Sequence, residues 1–201
     1  MKYTGPKTRL ARRVGEVLRA KDAKYMVKRG YPPGMHGQSR RRTSEFGIHH
    51  WAKQKAKWIY NVTEKQFRKY VEAAMGKRGM TGNVLLESLE LRLDNVVFRL
   101  GFAISRAQSR QLVNHGFFLV NRKKVNIPSY AVKVGDQISV NDSKKSATYI
   151  QQITPLLKEF KTQEWVTLDA KNFSGKVLSK PTPQITGSTI EMDLIVEHYN
   201  R

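Results

Sequence analysis

Cysteine is absent from this chain of 201 residues. That excludes disulfides, thiolate zinc ligands and cysteine nucleophiles together, and it leaves the compartment open. Acid is scarce as well: 16 Asp and Glu stand against 37 Lys and Arg, a net charge of +21. No apolar run approaches the ~18 residues that a membrane-spanning helix requires. The N-terminus has no apolar signal-peptide core; it is Arg-rich and acid-poor, as organellar transit peptides are. Hydrophobic residues make up 39%, enough for a packed core but on the lean side. A charge of this size repels itself unless a polyanion neutralises it.

The excess is unevenly placed. Residues 1–80 hold 21 basic and 5 acidic side chains, a net +16, whereas residues 81–201 hold 16 and 11, a net +5. A charge that served only solubility would be spread out. Residues 1–44 read as a basic extended arm, broken by Gly5-Pro6, Gly15, Gly30, Pro32-Pro33-Gly34 and Gly37. A short helix around Thr8–Leu18 fits, with Leu10, Val14 and Val17 on one side. With so little apolar content, the arm is expected to order on binding.

Helical periodicity begins after Ser44. Trp51, Lys55, Trp58 and Ile59 recur at three- and four-residue spacing. Thr63 and Gln66 fit a capping box, followed by the apolar stripe Phe67, Tyr70, Val71 and Ala74. One helix is expected from about Asn83, carrying Leu86, Leu89, Leu93, Val96, Val97 and Leu100. Ser105-Arg106-Ala107-Gln108 is a second capping box, and Gly116 suits a helix end. Strands are expected at Phe117–Val120 and Lys124–Ile127, joined at Asn121-Arg122, with a third at Gln137–Val140. Helical content over Tyr149–Phe160 is expected to fail at Pro155. Trp165–Asp169 and Lys176–Leu178 read as strands, Pro181-Thr182-Pro183 as a linker and Ile190–Tyr199 as a closing helix.

Three constellations bear on chemistry. Arg106 and Arg110, one turn apart at a helix start, share a face, and the free amides there add positive charge. They read either as a phosphate cradle, extended by Lys123 and Lys124, or as a solvated face; the overall charge favours the cradle. Arg40-Arg41-Arg42 with Lys53, Lys55 and Lys57 forms a second basic site. Trp51, Trp58 and Tyr60 are interleaved with it, Trp58 and Tyr60 as core, Trp51 as core or as a stacking platform. Glu87, Glu90 and Asp94 beside Arg92 and Arg99 read as surface ion pairs rather than an acid/base couple. The adjacent His49 and His50 diverge on a helix, so no metal site is expected. His36, in Pro33-Gly34-Met35-His36-Gly37, is placed to contact RNA or cap a turn. Gly5-Pro6-Lys7-Thr8 lacks the upstream glycine and strand of a phosphate-binding loop.

Arg92-Leu93-Asp94-Asn95-Val96-Val97, Ser105-Arg106-Ala107-Gln108, Arg110-Gln111-Leu112-Val113 and Val120-Asn121 resemble the RNA-binding fold named after ribosomal protein S-four. Gly5-Pro6-Lys7, Arg12-Arg13, Pro33-Gly34, His36-Gly37, Phe46-Gly47, Lys53-Gln54-Lys55, Glu64, Gln66-Phe67 and Leu194-Ile195-Val196-Glu197 with Tyr199 extend the resemblance. It covers nearly the whole chain, in order, and matches the bacterial type of the family. It begins at Lys2-Tyr3, which speaks against a transit peptide. The sequence departs from the family at His50-Trp51-Ala52, at Trp58, at Asn61 and at Arg122, the last two standing where glycine is usual. Zinc-binding relatives use cysteines in the arm, so that site is not expected here. A two-residue hairpin favours Asn-Gly because both positions need positive φ, so Arg122 is expected to cost strain or to mark a different turn.

The fold expected is α+β: a basic arm (1–44), a helical rRNA-binding domain (45–91, completed by 181–201) and an inserted small α/β RNA-binding domain (92–180) of two helices plus short antiparallel strands. The resemblance implies a small-subunit ribosomal protein that binds 16S rRNA early in assembly, at a multi-helix junction of the 5′ domain. It further implies ribosomal proteins S-five and S-three as neighbours, mRNA nearby where it enters the subunit, and a role in translational accuracy. The expected rRNA-binding residues are Lys2, Lys7, Arg9, Arg12, Arg13, His36, Arg40, Arg41, Arg42, Lys53, Lys55, Lys57, Arg106, Arg110 and Lys123. No catalytic residue, cofactor, small-molecule substrate or membrane is expected, and the expected location is the cytoplasmic ribosome in preference to an organellar one. Two rivals remain. An RNA-modifying enzyme carrying this module needs a catalytic domain for which residues 139–201 are too short, and a free-standing RNA chaperone shares the fold without ribosomal membership.

Overall fold

Ser44, Thr63 and Ser105 each start a helix. In each case the side-chain oxygen accepts an amide hydrogen bond that the helix itself leaves unmade, from Gly47, Gln66 and Gln108 at 3.2–3.4 Å. Only half of each expected capping box forms. The Gln66 Oε1 is buried without a hydrogen bond, and the Gln108 Oε1 accepts from the Ile104 amide at 2.9 Å instead of that of Ser105. The protein is seen here in a computed structural model that describes residues 5–39, 42–186 and 189–200. It divides into two compact units, Met1–Gly82 with Thr189–Arg201, and Asn83–Ser188.

The first unit holds α1 (Thr8–Val14), α2 (Ala20–Lys28), α3 (Glu45–Ile59), α4 (Glu64–Met75) and α10 (Met192–Tyr199). The arm therefore contains two helices, and α1 ends at Gly15 with φ +81°. Their mutual packing rests on Asp22, which is fully buried. It accepts from the Thr8 hydroxyl at 3.2 Å and from the Arg19 guanidinium at 3.0 and 2.7 Å. Leu10 and Ala11 are the buried face of α1, whereas Val17, expected on it, lies past the helix end and is exposed. Ala56, Tyr60, Phe67, Val71, Ala74 and Ile195 are buried. Trp58 is only half-buried. After Pro32 the chain doubles back so tightly that a Cβ on Gly37 would overlap the Pro32 carbonyl oxygen, so only glycine fits there.

The second unit holds most of α5 (Thr81–Glu90), then α6 (Leu93–Arg99), α7 (Arg106–Asn114), β1 (Phe118–Val120), β2 (Lys123–Lys124), β3 (Gln137–Val140), α8 (Thr148–Glu159), β4 (Val166–Asp169), β5 (Ser174–Val177) and α9 (Pro183–Thr186). Its five strands form one antiparallel sheet in the order β2-β1-β3-β5-β4. Alternation places Phe118, Val120, Ile138, Val140 and Val177 on the buried face, against Val96, Val97, Leu100, Val113, Ile153 and Trp165. Gly175 brings the β5 backbone against Leu100, where an added Cβ would clash with both methyl carbons.

Three expectations are corrected. The single helix expected from Asn83 to Leu100 is two, because Arg92 takes an extended conformation (φ −67°, ψ 137°) and bridges Ala131. The Leu93 amide donates to the Tyr130 carbonyl, and Val132 to Leu91, both at 2.9 Å. Pro155 does not end α8. Its missing N–H falls on the exposed side, while Ile150, Ile153 and Leu157 hold the opposite face in the core. Pro183 opens a short helix instead of lying in a linker, as suits a first helical position.

The hairpin keeps the turn that glycine would favour. Asn121 has φ +48° and Arg122 φ +65°, between paired Val120 and Lys123. Asn61, the other site where the family pattern has glycine, also sits at positive φ, +52°. Side-chain sterics oppose this region for any residue but glycine, by roughly 1–2 kcal/mol. Arg122→Gly is expected to raise unfolding stability by about 1 kcal/mol, read as an increase in the urea midpoint with unchanged slope.

Candidate nucleic-acid interface

Acid placement decides which cations are available. Lys53 and Lys57 both bond to Glu64, at 3.0 and 2.9 Å, and Lys53 also lies over the Tyr199 ring. The Tyr199 hydroxyl donates to the same carboxylate at 3.0 Å. Burial pushes Glu64 upward, but the hydrogen bonds from Lys57 and Lys53, the Lys57 charge and the Tyr199 hydroxyl outweigh it and hold the group at about 2. Burial, then the Glu64 charge, raises Tyr199. Lys55 bonds to Glu16 at 2.7 Å and to the Thr189 carbonyl at 2.7 Å. The three lysines of α3 thus tie α4, α10 and the arm to α3.

Arg106 and Arg110 behave alike. Arg106 donates to the Asn95 side-chain oxygen at 2.7 Å and lies 4.6 Å over the Phe98 ring. Arg110 sits 3.6 Å from Asp94. Both side chains are about 15% exposed, so most of each guanidinium faces inward. The acids they approach are buried, not on the surface as expected. Fully buried Glu90 is gripped by Arg99 at 2.6 and 2.9 Å and by the Asn95 amide at 2.6 Å. Asp94 is gripped by buried Arg92 at 3.1 and 2.8 Å. The Ser109 hydroxyl donates to the Asp94 carbonyl. Glu87 bonds to Lys180 at 3.1 Å.

The cations left facing solvent lie elsewhere. Arg9 and Arg13 are exposed and four apart on α1, while Arg12 turns back to donate to the Tyr31 carbonyl at 3.0 Å and lies over the Tyr31 ring. Lys7 is half-buried; His36 and Arg42 are exposed. In the second unit Lys123, Lys124 and Arg122 are exposed on the hairpin. Lys2, Arg40 and Arg41 lie outside the described residues. On α2 the structure adds Lys21, Lys24, Lys28 and the following Arg29, all exposed. The expected set does not contain them, although their three- and four-residue spacing is a sequence signal for one helix face. An open groove of about 540 Å³ is lined by Arg9, Arg12, Lys28, Arg29 and Tyr25.

His50 stacks on Phe46 and lies 5.9 Å from His198 between ring centres. Burial, then nearby Lys53, lowers both. His49 bonds to Glu197 at 3.1 Å. Among the described residues no group of three or more His, Asp or Glu is arranged to hold a metal ion, and no helix is long and apolar enough to cross a membrane.

Residues 2–90 match the "Ribosomal protein S4/S9 N-terminal domain" and residues 91–138 the "S4 domain". Proteins described as "Small ribosomal subunit protein uS4" are similar over the full chain. Those of Caldicellulosiruptor bescii, Acetivibrio thermocellus and Rubrobacter xylanophilus are 48%, 45% and 44% identical, covering 100% of this chain and 99% of theirs. The chain belongs to the uS4 family. That family is structural and non-enzymatic, as the sequence suggested, and its RNA-binding S4 domain corresponds to α6, α7 and the β1–β3 part of the sheet.

Two outcomes test the ion pairs of this uS4 member. Glu90→Gln removes the partner of a nearly buried guanidinium and is expected to cost about 3–5 kcal/mol in urea unfolding. Glu64 is held below its unfolded value, so its contribution is present above about pH 4.5 and is lost as pH falls through about 2. The stability difference between wild type and Glu64→Gln is therefore expected to be constant near neutrality and to shrink across that window.

Proposed function

We propose that this protein is a structural constituent of the small ribosomal subunit and a direct binder of 16S rRNA. The full-length similarity to small-subunit proteins supports the first part. The observation that supports the second is the cationic surface left after internal neutralisation: Arg9, Arg13, Lys21, Lys24, Lys28 and Arg29 on one unit, Arg122, Lys123 and Lys124 on the other. Phosphates crowded at a multi-helix junction of the 5′ domain match such a charge density. The protein nucleates assembly there by lowering the repulsion between RNA helices. RNA shape supplies most of the specificity, because the deep major groove of A-form RNA hides its base edges. Arg106, Arg110, Lys53, Lys55 and Lys57 act first as the internal frame and only at their exposed edges as phosphate contacts. Ribosomal proteins S-five and S-three as neighbours, mRNA where it enters the subunit, a part in translational accuracy and the cytoplasmic ribosome as location complete the reading.

Filter binding to a transcript of the 16S rRNA 5′ domain tests it. With about six to ten phosphates contacted, affinity is expected to fall roughly 10³–10⁵-fold between 50 and 200 mM salt. Replacing Lys21, Lys24 and Lys28 by Gln is expected to lower the salt slope by roughly one for each phosphate no longer neutralised, with helicity unchanged. A flat salt response, or failure to co-sediment with small subunits after a high-salt wash, defeats the proposal.

A further inference from the structure

Tyr25 is an exposed aromatic residue set among cations. It lies on the second turn of α2 and is 54% exposed, and the core of its unit is built without it. Its ring borders the groove with cations around it: Arg9 and Arg12 from α1, Lys28 one turn on along α2, and Arg29 just past the helix end. Pro33 adds an apolar wall. The volume, about 540 Å³, falls within the range of small-ligand clefts, ~300–1,000 Å³.

Cations alone suffice to meet the phosphates of a duplex. A cation-ringed aromatic face does something more, because a ring can stack only on a base whose own face is free. Arg12 is already fixed, its guanidinium held by the Tyr31 and Pro32 carbonyls, so one wall of the groove is set before any ligand enters. Arg9, Lys28 and Arg29 make no ion pair with an acidic side chain among the described residues. We propose that the α1–α2 groove takes a single unpaired nucleotide, its base stacked on Tyr25 and its flanking phosphates on Arg9, Lys28 and Arg29. This rests on the rRNA-binding reading above and deepens it: the arm reads one extruded nucleotide as well as neutralising backbone charge.

The test uses the full-length protein and the 5′-domain transcript, carrying 4-thiouridine for photo-crosslinking. Tyr25→Ala, at an exposed helical position, is expected to keep the circular dichroism of the wild type and to weaken binding roughly 5- to 150-fold, the loss of one base–aromatic stack. Its salt slope is expected to stay that of the wild type, since no cation is removed. Tyr25→Phe, which keeps the ring face, is expected to recover most of the affinity. The crosslink is expected between the peptide bearing Tyr25 and one nucleotide outside any RNA helix. Wild-type affinity in Tyr25→Ala with a steep salt slope overturns the nucleotide site and leaves rRNA binding standing. A crosslink to a base-paired nucleotide, or equal losses in Tyr25→Phe and Tyr25→Ala, also overturns it. Failure of the wild-type chain to retain the transcript removes both proposals, and crosslinking of that peptide to a ribosomal protein in whole subunits assigns the groove to a protein partner instead.

Discussion

With 16 acids against 37 bases, each carboxylate that points inward decides which cation the protein keeps for itself. Buried Asp22 is used this way in one unit and buried Glu90 and Asp94 in the other, while Glu16 and Glu64, themselves exposed, pair with the lysines of α3. A charged group leaves bulk water only when paired, because desolvation of a lone ion costs several kcal/mol. The helices of the first unit are short and lean in apolar surface, so ion pairs at α3 supplement the packing of Ala56, Phe67 and Ile195. In the second unit Glu90 joins α5 to α6, and Asp94 joins the α6 start to Arg92 and to α7.

The division gives each unit two classes of cation with different tasks. One class holds the frame: Lys53, Lys55, Lys57, Arg92 and Arg99, with Arg106 and Arg110 close to it. The other faces solvent on α1, α2 and the hairpin, held by backbone geometry and not by acids. Side chains of the second class are exposed, which suits a partner whose phosphates are arranged by shape.

Much of the architecture was legible because it follows from short-range rules. Ser44, Thr63 and Ser105 announce helix starts, alternation marks β1 and β3, and Asn121-Arg122 marks the turn. The break at Arg92 was not legible. Leu86, Leu89, Leu93 and Val96 keep helical spacing across it, and no glycine or proline interrupts them; the bridge to Ala131, 39 residues on, decides the matter. The candidate interface was legible as a region and less so residue by residue. A lysine in a basic cluster looks the same in sequence whether it meets a phosphate or Glu64, and partners such as Thr189 for Lys55 lie far away along the chain. Lys21, Lys24 and Lys28 were legible as spacing, but nothing in that spacing tells an exposed cation from a paired one.

The placement of α10 bears on how the protein is made. Residues 189–201 complete the unit that residues 1–82 begin, through His49–Glu197, Glu64–Tyr199 and Lys55–Thr189. Residues 83–188 form a unit that contains the whole sheet and helices α6 to α9. During synthesis every residue of the inserted unit is made before residues 189–201, which bring the first unit Tyr199 and the Thr189 carbonyl. The most basic part of the chain is thus the one whose unit is completed last in order of synthesis.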